Sequence, residues 1–390
     1  MRFFHKHDGP EPGTRPSRRS RLRQLAPRVE GLEARALMSH VPGHAIMASI
    51  LPARTAFVQT NLVTNNQAVN PAAHTDPNLT NPWGIAFGPA SPFWVADNHS
   101  GRSTFYDGSG AARPLVVTIP PPAGSPAGKV AAPTGIVFNG TSDFALPGGG
   151  ASRFIFATED GTIAAWGKGT SAELAADRSS TGAVYKGLAM ANNGGSNLLF
   201  ATNFNSGKID VFDKKFAPVT LPSGAFTDNR IPSGYAPFGI ANIGNNLVVT
   251  YARQDAEKHD DAPGRGRGFV DVFDPAGNLL IRAASRGSLN SPWGLAIAPA
   301  SFGRFANDLL VGDFGDGRIN AYRLVGSARR PHYQFAGQLP GNSRRPIAIE
   351  GLWALTPGNG AGAGNTNALY FTAGPNGETD GLFGSLSPAS

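Results

Sequence analysis

Short apolar runs that begin with an aromatic residue or a proline recur along the chain at regular distances. In the runs at residues 81–86 and 291–296, Trp83 and Trp293 each precede a glycine and an aliphatic residue. Five copies keep the glycine and the sixth has alanine, at positions 51 to 60 residues apart: Gly84, Gly135, Gly187, Gly239, Gly294 and Ala354. A repeat of this length is typical of a β-propeller with one blade per copy.

Each copy continues with two further apolar runs that are rich in β-branched and aromatic residues. In the first copy they lie at residues 93–98 and 103–107, and in the third at 198–203 and 208–213. Gly, Asn and Asp separate the runs, as expected for antiparallel strands joined by tight turns. No stretch of useful length has the 3.6-residue period of an amphipathic helix.

Most copies have room for a fourth, outer strand, for example at residues 114–119. The sixth copy has none left, whereas residues 56–63 have strand character and precede the first copy. We expect this segment to complete the sixth blade. The predicted fold is therefore all-β, a six-bladed β-propeller of four-stranded blades over residues 53–390, preceded by a disordered basic leader over residues 1–52.

Composition excludes several kinds of site. The 390 residues include 50 Gly, 32 Pro and no Cys, so disulfides, cysteine-ligated zinc, iron–sulfur clusters and thiolate nucleophiles are excluded. No apolar run is long enough for a transmembrane segment. Residues 1–40 hold nine basic and four acidic residues, which accounts for most of the net charge of +7. The folded part is nearly neutral, so no nucleic acid partner is expected.

Two stretches resemble known families. Residues 29–39 (Val-Glu-Gly-Leu-Glu-Ala-Arg-Ala-Leu-Met-Ser) resemble the LEPR-XLL-type motif near the start of many exported bacterial proteins, which implies an extracellular or cell-surface location. The repeats resemble NHL-type propeller units. The stretches 81–98, 157–161, 251–273, 291–317 and 371–386 are similar to an uncharacterised bacterial family of exported six-bladed propellers associated with PEP-CTERM sorting. Residues 385–390 lack the sorting tail of that family, so anchoring by that route is not expected.

One face of the ring is the candidate site, because the loops before the first strand and after the second strand of every blade lie at the same end. The residues before the repeated Gly or Ala positions converge there: Trp83, Thr134, Lys186, Phe238, Trp293 and Trp353. Polar residues follow the second strands, and the ligand-binding candidates among them are Asp97, Asn98, Glu159, Asp160, Asn203, Asp255 and Asp313. Together they predict a funnel mouth lined by aromatic rings and carboxylates.

A charged segment in the fourth copy lies on the same predicted face. Residues 252–267 carry eight charged side chains, and Arg253 and Gln254 join the binding candidates. Glu378 comes from the corresponding loop of the sixth copy. A loop this long and this charged is either a binding loop or lid, or a solvated insertion.

Structural roles compete with these interpretations. The aromatic residues can fill the wedges between blades, and Asp or Asn at a strand end often caps a turn. Three functions stay open: a module that binds a saccharide, peptide or cell-envelope partner, a calcium-dependent lactonase-like or esterase-like hydrolase, and a structural envelope component. Glu159, Asn203, Asp255 and Asp313 are the calcium ligands considered, because calcium prefers oxygen ligands. No catalytic residue, metal or cofactor is assigned, and a monomer is expected.

Overall fold

Six β-sheets form a closed ring in the computed structural model, which describes residues 55–389. The innermost strand of each sheet contacts the innermost strands of the two neighbouring sheets, including the first and the sixth. The predicted six-bladed propeller is therefore confirmed. The leader and the motif at residues 29–39 lie outside the described residues, so the predicted export stays a prediction.

The four main strands of every blade pair antiparallel, and the first of them lies nearest the axis. Two strands precede blade 1: β1 (Phe57–Thr64) and β2 (His74–Thr75). Blades 1 and 2 contain β3 (Pro82–Ala86), β4 (Phe93–Asp97), β5 (Arg102–Tyr106), β6 (Val117–Thr118), β7 (Pro133–Phe138), β8 (Phe154–Thr158), β9 (Thr162–Trp166) and β10 (Glu173–Asp177). Blade 3 contains β11 (Tyr185–Asn193), β12 (Ser196–Asn203), β13 (Lys208–Phe212) and β14 (Pro218–Val219).

The second half of the ring is built in the same way. Blades 4 and 5 contain β15 (Tyr235–Ile243), β16 (Asn246–Arg253), β17 (Gly268–Phe273), β18 (Leu279–Ser285), β19 (Pro292–Ile297), β20 (Leu309–Asp313), β21 (Ile319–Ser327) and β22 (Arg330–Gln338). Blade 6 contains β23 (Leu352–Pro357), β24 (Leu369–Ala373) and β25 (Leu382–Pro388). The described helical structure is limited to two short 3-10 turns, Ser179–Thr181 and Gly303–Phe305. No helix in the described part is long and apolar enough to cross a membrane.

Strand β1 closes the ring, as the sequence predicts. It pairs antiparallel with β25 from Phe57 opposite Pro388 to Thr64 opposite Leu382. Blade 6 differs from the prediction in one respect, because β2 adds a short fifth strand parallel to β1. The outer strand β6 is also shorter than predicted. Pro114 and Pro120 flank that segment, and proline cannot donate a hydrogen bond to a ladder.

The repeated glycine lets neighbouring innermost strands approach each other. A Cβ atom on Gly239 would lie 2.1 Å from the Trp293 carbonyl oxygen, and one on Gly294 would lie 2.4 Å from the Trp353 oxygen. Threonine hydroxyls also join adjacent blades. The Thr202 hydroxyl donates to the Phe238 carbonyl at 2.7 Å. The sequence pattern of aromatic residue and glycine therefore reflects packing around the axis.

Candidate functional site

Four aromatic side chains meet on the axis at the face where the innermost strands begin. Trp83 and Trp353 stack with their ring centroids 3.5 Å apart, and Trp293 packs edge-on against both. Blades 1 and 4 are opposite each other in the ring, yet Trp83 lies 6.5 Å from Phe238 of blade 4. These four residues, here called the aromatic plug, fill the axis instead of the wedges between blades.

Lys186 occupies the equivalent position in blade 3, so a charged side chain lies beside the plug. Its side chain is 1% exposed, and Nζ lies 5.1 Å from the centre of the Trp83 ring. The ammonium group donates to Glu159 Oε1 of blade 2 and, at 2.9 Å, to Asp260 Oδ1 of the blade 4 loop. A buried charge needs such partners, because burial without them is costly.

The two carboxylates that hold Lys186 are held in turn by other side chains. Asn98, which is buried at the end of β4, donates from Nδ2 to Glu159 Oε2 at 2.8 Å. His259 Nδ1 lies 3.1 Å from Asp260 Oδ2. Asp260 and His259 remain about half exposed, so the cluster reaches solvent on the side of this loop.

Blade 6 adds a third carboxylate through Glu378. Its Oε2 accepts a hydrogen bond from Asn81 Nδ2 at 2.6 Å, and Asn81 Oδ1 accepts one from Trp353 Nε1 at 3.0 Å. Asn376, Gly377 and Glu378 all have φ between 57° and 67°. Three consecutive left-handed residues are unusual, and such strain concentrates at functional sites. Glu378 is thus held by a strained turn and by the side-chain amide of Asn81, which is itself bonded to Trp353 of the plug.

We call these residues the lysine cluster: Lys186, Glu159, Asp260, His259, Asn98, Asn81 and Glu378.

The charges of the lysine cluster depend on one another. Burial alone would lower the pKa of Lys186, but Glu159 and Asp260 outweigh it and raise the pKa. The hydrogen bond with His259 lowers the pKa of Asp260; the nearby Lys186 acts in the same direction and burial acts against it. The same hydrogen bond raises the pKa of His259. Burial raises the pKa of Glu378 to about 7, against the hydrogen bond from Asn81. Lys186 is therefore a fixed cation, whereas Glu378 can exchange a proton near neutral pH.

Three of the predicted binding residues, Asn98, Glu159 and Glu378, come together in this cluster, and three others bond within their own blades. Asp97 accepts from the Thr104 hydroxyl at 2.8 Å, and Asp313 accepts from Asn320 Nδ2 at 2.7 Å. Burial raises the pKa of both Asp97 and Asp313 well above the usual value. Asn203 donates to Asp210 and accepts from the Val184 and Ser206 amides.

Three of the remaining predicted residues, Asp160, Gln254 and Asp255, position loops. Asp160 accepts from the Ala132 amide at 2.8 Å and pairs with Lys129. Gln254 donates to the Phe204 carbonyl at 2.6 Å, and Asp255 accepts from the His259 amide at 3.0 Å. Arg253 is exposed at the end of β16. Gln254 and Asp255 thereby anchor the loop that brings Asp260 to Lys186.

The four calcium ligands considered from the sequence do not converge. Across residues 55–389, the group of three or more His or acidic side chains whose ligand atoms lie within 4.8 Å of one another is Glu159, His259 and Asp260. Asp255 and Asp313 are outside it, and Asn203 bonds to Asp210. Lys186 Nζ already bridges Glu159 and Asp260, so its ammonium charge occupies the place where a cation would bind.

The sequence interpretation did not include Lys186, Asp260, His259 or Asn81 among the binding residues. One signal for Lys186 was present, because it is the one charged residue among the six that precede the repeated Gly or Ala. Asp260 and His259 lie inside the charged segment but carry no repeat signal. Their contact with blade 2 and blade 3 residues depends on the conformation of the loop.

Comparisons with known proteins identify relatives along most of the chain. No protein-family model matches it. "Uncharacterized protein R648" of Acanthamoeba polyphaga mimivirus is 34% identical over 340 residues, which cover 84% of this chain and 79% of that protein. "Uncharacterized protein L690" of the same virus is 33% identical over 340 residues, covering 83% and 84%. The chain belongs to their family. Because these relatives are viral, the expected membership of the bacterial PEP-CTERM-associated family is not supported.

Solved structures resemble the chain more distantly. Virginiamycin B lyase from Staphylococcus aureus is 12% identical, with 85% of this chain and 99% of that chain covered and a TM-score of 0.45. The PQQ-bound aldose sugar dehydrogenase from Streptomyces coelicolor is 14% identical, with 87% and 99% covered and a TM-score of 0.45. Similarity at this level says nothing about the activity of the chain.

Proposed function

We propose that the protein binds a small polar ligand rich in hydroxyl or ammonium groups, of the saccharide class, at the lysine cluster. The observation that carries this proposal is the buried Lys186, whose ammonium group pairs with Glu159 of blade 2 and Asp260 of the blade 4 loop, while Asn81 holds Glu378 of blade 6 on the same face. Loops of three different blades supply these carboxylates, and convergent polar groups are typical of ligand recognition.

The balance of charge favours a ligand that donates hydrogen bonds. Glu159, Asp260 and Glu378 supply acceptor oxygens, whereas Lys186, the one fully buried cation among residues 55–389, already donates to two of them. Hydroxyl and ammonium groups bond well to carboxylates. A ligand with a carboxylate or phosphate would instead face the negative charge of the cluster.

An unpartnered donor beside Lys186 also supports a bound molecule. Trp83 is buried, and its Nε1 has no hydrogen-bond partner among the described residues. Buried polar groups without a partner are uncommon and call for a bound water or ligand atom. Trp353 and Trp293 differ, because their Nε1 atoms donate to Asn81 and to the Lys186 carbonyl.

Thermal unfolding of the full chain with glucose, glucosamine, N-acetylglucosamine and triglycine tests the proposal. We expect at least one sugar to raise the melting temperature, since a ligand at 100 times its Kd stabilises a protein by about 2.7 kcal/mol. Asp260→Asn and Glu378→Gln should remove most of the shift. Glu257→Gln, an exposed change in the same loop as Asp260, should preserve it.

Two results would contradict the proposal. One is a shift that survives both Asp260→Asn and Glu378→Gln, and the other is the absence of a shift with every sugar. A shift with triglycine alone would favour a peptide over a saccharide and would also overturn it. In the same assay we expect Ca²⁺ and EDTA to have no effect, because the Lys186 ammonium group already occupies the position between Glu159 and Asp260.

A further inference from the structure

A cavity lies on the axis, at the end opposite the lysine cluster. It has a volume of about 730 Å³ and is enclosed by the innermost strands of all six blades. Each blade contributes an aliphatic side chain to its wall: Ile85, Ile136, Leu188, Ile240, Leu295 and Leu355. We call this cavity the apolar channel. Its volume is within the range of about 300–1,000 Å³ that is typical of small-molecule sites.

The lining of the apolar channel contains no charged side chain. Its two polar side chains away from the plug are Asn242 and Thr356, and both already bond to the protein. Asn242 Nδ2 donates to the Met190 carbonyl at 2.7 Å, and the Thr356 hydroxyl donates to the Pro357 carbonyl at 3.3 Å. The side chains of the lining therefore offer a ligand few polar partners, and the polar part of the wall comes mainly from the backbone.

The two ends of the channel differ. At the inner end the channel stops at Trp293, whose Nε1 is bonded to the Lys186 carbonyl, so the plug separates the channel from the lysine cluster. At the outer end Phe87, Phe138 and Met190 are partly exposed. Apolar side chains exposed around an opening usually mark a binding site. The channel is thus open to solvent at one end and closed at the other.

We propose that the apolar channel binds an uncharged, elongated apolar molecule, of the class of an alkyl or acyl chain. The wall offers apolar contact from six sides and no group to pair with a charge, so burial of apolar surface would drive binding. The channel follows the innermost strands over about four residues of each, for example residues 84–87, which corresponds to roughly 13 Å. A flexible apolar chain can fill a space of this length and volume. The site is independent of the lysine cluster.

The test uses the full chain and the uncharged fluorescent probe N-phenyl-1-naphthylamine. We expect saturable binding that 1-dodecanol displaces and that glucosamine leaves unchanged. Two variants change the channel in different ways. Met190→Lys places a charge at its rim, where the long side chain can still reach water, and Ala241→Phe fills part of its volume. Each should weaken probe binding by about tenfold or more.

Leu324→Lys is the matched control, because Leu324 is an apolar residue 55% exposed on β21 and lies outside the channel. It should bind the probe as the unchanged protein does. Melting temperatures of all three variants show which of them are folded. Absence of saturable binding to the unchanged chain would overturn the proposal. Equal binding by folded Met190→Lys or folded Ala241→Phe would overturn it as well, since the probe would then lie elsewhere.

Discussion

A single residue makes blade 3 different from the others. The equivalent positions carry Trp83, Phe238, Trp293 and Trp353, which pack against one another, and Thr134, whose hydroxyl bonds to the Tyr185 carbonyl. Lys186 instead brings a charge to the axis, where it pairs with carboxylates of blades 2 and 4. The candidate site thus arises because one of these six equivalent positions carries a charged residue and the other five do not.

This single charged position explains why the site was only partly predictable. Strand order places Asn98, Glu159 and Glu378 on one face, so the sequence alone brings these three near the axis. Asp97 and Asp313 obey the same rule, yet a neighbouring Thr104 or Asn320 holds each within its blade. The choice between the two outcomes depends on a side-chain partner on the next strand, which the repeat pattern does not contain.

Glu378→Gln should change how stability depends on pH. Burial raises the pKa of Glu378 from its usual 4.5 to about 7, so between these values the folded protein binds a proton that the unfolded chain does not. Because of this difference in proton binding by Glu378, the unchanged protein becomes less stable as the pH rises from about 4.5 to 7. A glutamine at this position stays neutral at every pH, so the variant does not lose stability in this way. Relative to the unchanged protein, the variant should gain up to about 3 kcal/mol between pH 4.5 and 8.

Urea unfolding at a series of pH values measures this difference. Glu257→Gln serves as the control, because Glu257 is exposed in the loop beside Asp260. Its difference from the unchanged protein should stay constant over the same range. A Glu378→Gln difference that is also independent of pH would show that Glu378 is not buried as the structure places it.

At the scale of the strand, the innermost elements carry most of the architectural information. Their glycines recur because adjacent backbones nearly touch, and this makes the repeat visible in the sequence. The loops do not repeat. The segment after β16 was predicted as a binding loop or a solvated insertion, and the structure shows that Gln254 and Asp255 anchor it while Asp260 reaches Lys186.

Gly239→Ala should destabilise the ring. The new Cβ atom would lie 2.1 Å from the Trp293 carbonyl oxygen, so two backbones would have to move apart. We expect a loss of about 1–3 kcal/mol in the free energy of unfolding, as for overpacked cores. Chemical denaturation measures it.

Gly341→Ala is the matched control, since its Cβ atom would meet its nearest neighbour at an ordinary 3.5 Å. Its effect should stay within about 0.5 kcal/mol. Similar losses for the two variants would mean that contact between blades is not what requires the glycine at position 239.

At the scale of the whole molecule, the sequence predicts the architecture well because each blade repeats the same pattern. Closure by the N-terminal strand was predictable from the number of strands in each copy. The sixth copy has only three strands, and residues 56–63 form a strand that belongs to no other copy. The additional strand β2 was not predictable, because two residues carry no pattern of their own.

Phe57→Ala tests how much this closure contributes. The Phe57 ring is 1% exposed and lies 4.7 Å from the Phe302 ring of blade 5. Its removal leaves a cavity at the closing strand, and we expect a loss of about 3–5 kcal/mol on unfolding. Val58→Ala changes the next residue on the same strand, which is 40% exposed, and should cost less than about 1 kcal/mol. Equal losses in denaturation experiments would contradict closure through this contact.

The pairing of β1 with β25 has a consequence for biosynthesis. About 320 residues separate the two strands, and ribosomes add roughly 5–20 residues per second, so β1 waits on the order of 20–60 s for its partner. During that interval five blades can assemble while the sixth cannot. An edge that stays open this long exposes hydrogen-bonding groups to other chains, and the nascent protein is therefore most vulnerable to misassembly just before β25 leaves the ribosome.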